Sequence, residues 1–222
     1  MSSMKTTAET SKNLWRIPEW YPEIEPSKLE LLKAYYDELL KFNKTINLIS
    51  PKTAPFADAI HFADCILACK EISNTTKIDE LYDIGSGNGF PGVIYAILNP
   101  QTKVKLVESD QRKAEFLKHL TTHLRLSNVE VINQNAEKIP QGSIKFAISR
   151  GFASIAKTVL VARKLTAVGG VYFHLKGEEW GNEIAEIPTQ LCSFWIPSLL
   201  AEYRLPIGEV RFAVVKTEKI SE

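Results

Sequence analysis

The sequence predicts an α/β fold in which a mostly parallel β-sheet is flanked by helices. Two observations predict it. From residue 79 onward, short apolar runs alternate with amphipathic helical patterns, and the last two runs are joined by a short link at Ile207-Gly208. Alternating strands and helices are typical of a parallel sheet with helices on both faces. The short link predicts an antiparallel hairpin that closes the sheet at its carboxyl end.

The residues before this alternation are predicted to be mostly helical. Residues 14–26 carry three prolines and two tryptophans, which is typical of an irregular segment. Ser27 and Glu30 have the spacing of a capping box, and apolar residues then recur at helical spacing. A second helix is predicted over 55–70. The expected organisation is an irregular lead-in over 1–26, a helical extension over 27–75 and a sheet domain over 76–222.

Seven strands and four helices are predicted in the sheet domain, and Asp110 is the expected cap of the second helix. The strands are expected over 79–84, 104–108, 129–132, 144–149, 170–176, 202–206 and 210–215. The helices are expected over 91–98, 111–125, 153–167 and 179–190.

Composition narrows the class of protein. A formal net charge of +1 neither requires nor excludes a nucleic-acid partner, because a local patch is enough. Three cysteines are a sparse, odd count that favours a reducing cytosol, and Cys65 and Cys69 are interpreted as packing residues, not metal ligands. We see no signal peptide and no apolar run near the roughly 20 residues that span a bilayer. We therefore expect a cytoplasmic protein with no membrane partner and no metal, and a monomer is the default expectation.

Four glycines and a proline stand in the ten residues Asp83–Gly92, between the first strand and its helix. Ligands of open parallel sheets bind at the carboxyl ends of strands, and glycines there let the backbone approach a ligand. The spacing is G-x-G-x-G, which differs from the dinucleotide pattern G-x-G-x-x-G, and the segment has no lysine for a phosphate loop. The pattern favours a ligand other than a pyrophosphate or triphosphate.

An acidic residue, Glu108, ends the second strand, where its carboxylate can accept both hydroxyls of a ribose. Free ribose hydroxyls without a phosphate charge fit S-adenosylmethionine, and its cationic sulfonium tolerates Asp83 nearby. After the third strand, the amide of Ala136 and the carboxylate of Glu137 are expected to bracket the adenine. A dinucleotide enzyme and a purely structural loop remain alternatives. The predicted cofactor contacts are Asp83, Gly85, Ser86, Gly87, Gly89, Phe90, Glu108, Ala136 and Glu137.

The methyl acceptor is suggested by what the sequence does not contain. It has no Asp/Asn-Pro-Pro-aromatic tetrapeptide for exocyclic amines, and its cysteines lie outside the predicted strand-end loops. An acceptor that is already nucleophilic, such as guanine N7, needs positioning and desolvation but no general base. Arg150, at the end of the fourth strand, is predicted to be the catalytic residue and to contact a substrate phosphate or guanine O6. Lys176 is predicted to contact RNA phosphate, and a local ion pair is the alternative for both cations.

These residues resemble the bacterial glucose-inhibited division protein B family, which are 16S ribosomal RNA guanine-N7 methyltransferases that use S-adenosylmethionine. The resemblance covers residues 29–215. Its marks are Asn47-Leu48-Ile49-Ser50, His61-Phe62-x-Asp64, the Gly-Phe-Pro-Gly end of the glycine segment, Arg112-Lys113, Ala136-Glu137, Ser149-Arg150 and Lys176-Gly177.

The resemblance implies a Rossmann-like class I methyltransferase fold, with a seven-stranded sheet and an N-terminal helical extension. It also implies a guanine in 16S ribosomal RNA, reached in the small ribosomal subunit or a late assembly intermediate. Arg150 would be the substrate-site arginine. For His61 and Asp64 we expect a structural role, fixing the helical extension against the cofactor loop, because N7 chemistry needs no base. Trp15, Trp20 and Tyr21 are expected either to stack on RNA bases or to cover the core.

Overall fold

The computed structural model describes residues 14–222. The α-helices are α1 (Ile17–Trp20), α2 (Pro26–Phe42), α3 (Asp64–Thr75), α4 (Gly92–Leu98), α5 (Gln111–His123), α6 (Ile155–Leu165) and α7 (Trp180–Ala185). A π-helix spans Asp58–Ala63, and 3-10 helices span Ala54–Phe56, Ala136–Lys138 and Leu191–Ser193. The strands are β1 (Glu80–Ile84), β2 (Lys103–Glu108), β3 (Val129–Asn133), β4 (Ile144–Arg150), β5 (Thr166–Lys176), β6 (Trp195–Arg204) and β7 (Arg211–Lys219).

The seven strands form one sheet in the order β3-β2-β1-β4-β5-β7-β6. Strands β1 to β5 pair in parallel, and β7 lies antiparallel to both β5 and β6. The predicted α/β class and the antiparallel hairpin at the carboxyl end are therefore confirmed. Because β2 and β4 flank β1 on opposite sides, the strand order reverses at the carboxyl end of β1, where ligands of such sheets bind.

The N-terminal helix begins differently from the prediction. Helix α2 starts at Pro26 with Glu25 as its N-cap, and no side chain caps it, so the capping box at Ser27 and Glu30 is wrong. Proline is favoured in the first helical turn because it has no N–H group to leave unsatisfied there. The predicted cap at Asp110 is confirmed, since its Oδ1 accepts a hydrogen bond from the Lys113 N–H at 3.0 Å.

Three other boundaries differ for local reasons. The helix predicted over 55–70 is a 3-10 turn, a π-helix and α3 in succession, and it extends to Thr75. The helix predicted over 179–190 stops at Ala185, three residues before Pro188, which cannot continue a helix. Strand β6 begins at Trp195, although Pro197 lies within it. A proline is tolerated there because β6 is an edge strand.

One hydrophobic core joins the N-terminal helices to the sheet. Tyr35 of α2 and Phe62 of the π-helix belong to the same buried cluster as Phe90, Leu106 and Phe116. Trp15 of the N-terminal segment also packs here: its ring lies 4.9 Å from Tyr36 and 5.4 Å from Phe62, measured between centroids. Of the two alternatives for Trp15, core covering is the one that these contacts support.

Candidate functional site

A cavity of about 580 Å3 opens at the carboxyl end of β1. Its wall is formed by the glycine segment after β1, the end of β2, the π-helix, and the segments that follow β4 and β5. The volume is within the range of small-molecule sites, and its place is the switch point of the sheet. Of the predicted site residues, those on its wall are Gly85, Ser86, Gly87, Phe90, Glu108, Arg150 and Lys176.

The turn after β1 requires glycine at two positions on the cavity wall. Gly85 has φ +72° and Gly87 has φ +56°, a backbone conformation that residues with a Cβ rarely adopt. The amides of Gly85 and Ser86 donate to the Val107 carbonyl at 2.9 and 3.1 Å, which fixes this turn to β2. At these two positions the wall is therefore formed by backbone that carries no side chain of its own.

Asp83 lies beneath the turn and not on the cavity wall. Its side chain is fully buried, and Oδ2 accepts a hydrogen bond from the Gly92 N–H at 2.9 Å. Burial raises the pKa of Asp83 to about 7, although the Gly92 amide works in the opposite direction. Asp83 thus links the end of β1 to the start of α4. It contacts the glycine segment on the side away from the cavity, through Gly92.

Gly89 and Phe90 connect the turn to the helical extension. A Cβ at Gly89 would lie 2.8 Å from the Tyr35 hydroxyl, so this glycine allows α2 to approach the segment. The same hydroxyl donates to the Asn88 carbonyl at 2.7 Å. Phe90 is buried and stacks on His61 with centroids 5.5 Å apart. Gly89 is not on the cavity wall, whereas Phe90 borders it.

Glu108 is held with its carboxylate at the cavity. Oε2 accepts from the Gly87 N–H and Oε1 accepts from the Asp110 N–H, each at 2.7 Å. The residue is only 7% exposed. A carboxylate has about four acceptor sites, so each oxygen keeps capacity for a further donor. Glu108 therefore fixes the glycine turn and can still accept hydrogen bonds from a ligand.

Ala136 and Glu137 lie outside the cavity wall. Glu137 is exposed, and its amide donates to Asn135 Oδ1 at 3.0 Å within the 3-10 turn after β3. The turn is nevertheless next to Glu108, because β3 pairs with β2 and the Asn133 side chain donates to the Glu108 carbonyl at 2.9 Å. The predicted adenine contact of these two residues stays a prediction.

Arg150 borders the cavity and is held by residues of the π-helix and α3 that border it too. Its Nη1 donates to Asp64 Oδ2 at 3.1 Å and to the Ile60 carbonyl at 3.2 Å, and its Nη2 lies 2.9 Å from His61 Nδ1. The guanidinium also lies 5.0 Å from the centroid of Phe90. The local ion pair that was the alternative for Arg150 is therefore present, on an arginine that also borders the cavity.

His61 is a neutral hydrogen-bond acceptor for this arginine. Burial, with a further contribution from the Arg150 charge, lowers the pKa of His61 to about 3. Because Nδ1 accepts from Arg150, the ring proton is on Nε2, which lies 3.1 Å from the Thr53 hydroxyl. His61 and Asp64 hold Arg150, and His61 also touches the glycine segment through Phe90.

Lys176 is also paired within the chain. Its ammonium donates to Glu183 Oε2 and to the Ala153 carbonyl, both at 2.7 Å. The same Glu183 oxygen accepts from the Ile155 amide at 2.8 Å. Lys176 therefore anchors the segment after β4 to α7 while its side chain borders the cavity.

Other residues on the cavity wall were not predicted as ligand contacts. Among them are Leu48, Asn88, Lys113 and Phe152. Phe152 is 38% exposed, and its Cδ2 lies 2.5 Å from where a Cβ of Gly85 would stand. The sequence signal that could have identified Phe152 is its place two positions after Arg150, which ends β4. Within residues 14–222, no cluster of three or more potential metal ligands occurs, and no helix has the length and apolarity to cross a membrane.

The strand order and a ligand-sized cavity at the switch point define a Rossmann-like methyltransferase fold, and solved structures agree with it. A predicted O-methyltransferase of Agrobacterium tumefaciens has 19% identity and a TM-score of 0.55, with 72% of this chain and 82% of that chain covered. A SAM dependent methyltransferase from Aquifex aeolicus has 12% identity and a TM-score of 0.54, with 82% and 98% covered.

The particular family follows from sequence. The profile of the family described as rRNA small subunit methyltransferase G matches residues 28–195. The protein called ribosomal RNA small subunit methyltransferase G 3 of Bdellovibrio bacteriovorus is 54% identical over 208 residues, which are 93% of this chain and 94% of that protein. The chain belongs to the rRNA small subunit methyltransferase G family.

Proposed function

We propose that this protein transfers a methyl group from S-adenosylmethionine to N7 of a guanine in 16S ribosomal RNA. The observation that carries the proposal is one cavity whose wall contains the glycine turn, the Glu108 carboxylate and the Arg150 guanidinium, in a member of this family. The first two suit a nucleoside cofactor, and the third suits a polyanionic substrate.

The cavity residues fit the cofactor on two counts. Gly85 and Gly87 leave their backbone uncovered by a Cβ, and Glu108 keeps acceptor capacity that suits ribose hydroxyls. When bound, S-adenosylmethionine supplies a methyl group made electrophilic by its sulfonium. Gly85, Ser86, Gly87, Phe90 and Glu108 would hold it. Asp83 and Gly89 would not contact the cofactor but would fix the conformation of the glycine segment. Ala136 and Glu137, which follow the strand next to Glu108, would contact the adenine.

The chain's own residues position the acceptor and remove no proton from it. Guanine N7 carries an exposed lone pair and no hydrogen, so its methylation needs orientation and exclusion of water. The nearest imidazole, His61, has its Nδ1 occupied by Arg150, which argues against a general base there. Arg150 would contact a phosphate or guanine O6, leaving N7 uncovered. Lys176 would contact a phosphate if its bond to Glu183 opens.

The partner in this proposal is 16S ribosomal RNA within the small ribosomal subunit or a late assembly intermediate. Such a partner places the protein in the cytoplasm, and we propose that it acts as a monomer. Lys113 on the cavity wall, together with Arg112 on the first turn of α5, would add positive charge beside the entrance.

Mass spectrometry of 16S ribosomal RNA from cells with and without the gene tests the proposal. We expect one 7-methylguanosine to disappear in the deletion strain and to return when the wild-type gene is restored. Restoration with Arg150→Ala should leave the guanine unmethylated, although calorimetry should show that the variant still binds S-adenosylmethionine. If deletion leaves every modification of the RNA intact, the proposed reaction is wrong.

A further inference from the structure

Tyr203 of β6 contacts the group that holds Arg150. Its hydroxyl donates to Asp64 Oδ1 at 2.7 Å, while the other oxygen of Asp64 accepts from Arg150 at 3.1 Å. Burial, and then the neighbouring carboxylate, raises the pKa of Tyr203 well above its usual range, so the hydroxyl remains a donor. Asp64 is almost completely buried. One of its oxygens thus accepts from a tyrosine and the other from an arginine.

The hydrogen bonds of Arg150 leave part of its guanidinium without a protein partner. Nη1 donates to Asp64 and Ile60, and Nη2 donates to His61. Among residues 14–222 the Nε–H has no partner, and Nη2 makes one hydrogen bond although it carries two hydrogens. On a guanidinium, Nε–H and one Nη2–H lie side by side and match two oxygens of one phosphate, or a pair of acceptors on a base.

We propose that Tyr203, Asp64 and His61 are positioning residues that fix Arg150 so that its free edge, Nε–H and Nη2–H, is presented to the RNA. This inference rests on the proposed function and assigns a residue of the antiparallel edge strand to the methyl-transfer site. Tyr203 acts only through Asp64 and Arg150. Without its hydroxyl, one oxygen of a buried carboxylate has no partner, and Asp64 can rotate away from Arg150.

Three elements of the fold contact Arg150 or its partner Asp64, and their effect is to order the arginine side chain. An unsupported arginine has many rotamers, and ordering it on substrate binding costs conformational entropy. Here the π-helix, α3 and β6 order the guanidinium before the substrate arrives. Because misplacement of a positioning group by about 1 Å can lower a rate by about 100-fold, small losses of order at Arg150 should be visible in kcat.

Tyr203→Phe tests the inference because it removes one hydroxyl and keeps the ring. The assay measures transfer of labelled methyl from S-adenosylmethionine to small ribosomal subunits purified from a strain that lacks the gene. We expect kcat to fall roughly 10-fold and the Kd for S-adenosylmethionine to stay unchanged. The matched control is Tyr82→Phe, which removes a hydroxyl that accepts from the Lys105 ammonium at 3.1 Å and does not border the cavity. Its kcat should stay within about 2-fold of wild type.

A double-mutant cycle separates positioning from general structural support. In an Arg150→Lys background, Tyr203→Phe should lower kcat by less than about 2-fold, because the group it positions is already gone. An equal effect in both backgrounds, or no effect on the wild type, overturns the inference. If Arg150→Lys has no measurable activity, side-chain NMR decides instead. Tyr203→Phe should make the Arg150 Nη resonances exchange faster, and unchanged exchange would refute the role. Failure of the wild-type protein to methylate the subunits would instead count against the proposed function.

Discussion

Replacing Glu108 with alanine tests whether the end of β2 holds the cofactor, and it should also weaken the fold. The carboxylate accepts two short hydrogen bonds from the amides of Gly87 and Asp110. A hydrogen bond to a charged group contributes about 1.5–3 kcal/mol. Water can replace part of this because the residue is not completely buried. We therefore expect the free energy of unfolding to fall by about 2–4 kcal/mol.

The loss of cofactor affinity should be separable from the loss of stability. If the carboxylate accepts ribose hydroxyls, Glu108→Ala should weaken S-adenosylmethionine by about 30- to 100-fold, which is about 2–3 kcal/mol. Titration calorimetry at a temperature where circular dichroism shows a folded variant measures this. Glu130→Ala, at an exposed acidic residue of the neighbouring strand β3, is the matched control and should keep wild-type affinity, whereas Glu137→Ala should weaken binding. A folded Glu108→Ala with wild-type affinity would refute the ribose contact, and an unchanged Glu137→Ala would reject the predicted adenine contact.

Three further substitutions, one of them a control, test the packing and the electrostatics of the protein. A Cβ at Gly92 would lie 2.5 Å from Leu106 Cδ2 and 2.6 Å from Asp83 Oδ2, so Gly92→Ala should lower the free energy of unfolding by about 1–3 kcal/mol in urea titrations. Gly181→Ala, where a Cβ meets no atom within 4 Å, should not destabilise the protein. Burial lowers the pKa of His174 to about 3, so the folded state stays neutral where the unfolded chain takes up a proton. Its contribution to stability is complete above about pH 6.5 and is lost as the pH falls toward 3. His174→Gln should therefore reduce the slope of stability against pH in that window, and an unchanged slope would contradict the assignment.

The sheet was predictable because its strands are short apolar runs that end at recognisable turns. The least accurate boundaries belong to β5, β6 and β7, whose observed spans begin or end several residues beyond the predicted ones. Strand β6 has a partner on one side only, and it contains Pro197 and the exposed residues Ile196 and Leu199. Such a segment lacks the continuous apolar pattern of a central strand. The sequence signal is weak there because the strand is only partly buried.

Residues of the cavity wall were predictable where they lie directly at the end of a predicted strand. The glycine turn and Glu108 follow directly from strand ends, and each borders the cavity as expected. Asp83 and Gly89 belong to the same ten residues but face the core. The spacing of residues in the sequence does not show which side of the turn faces the core and which faces the cavity. The contact of Asp64 with Tyr203 joins residues 139 positions apart. Only the arrangement of strands brings these two side chains together.

The position of Arg150 depends on parts of the chain that the predicted domain division separates. The π-helix that supplies Ile60 and His61 begins at Asp58, a fully buried carboxylate. Asp58 accepts hydrogen bonds from the Arg16 side chain at 2.8 and 2.9 Å and from the Arg16 amide at 3.0 Å. Removing one partner of a buried ion pair leaves an uncompensated charge, which costs about 3–5 kcal/mol. The N-terminal segment is therefore coupled to Arg150 through the π-helix, and damage at Arg16 should reach the proposed site even though Arg16 does not border the cavity.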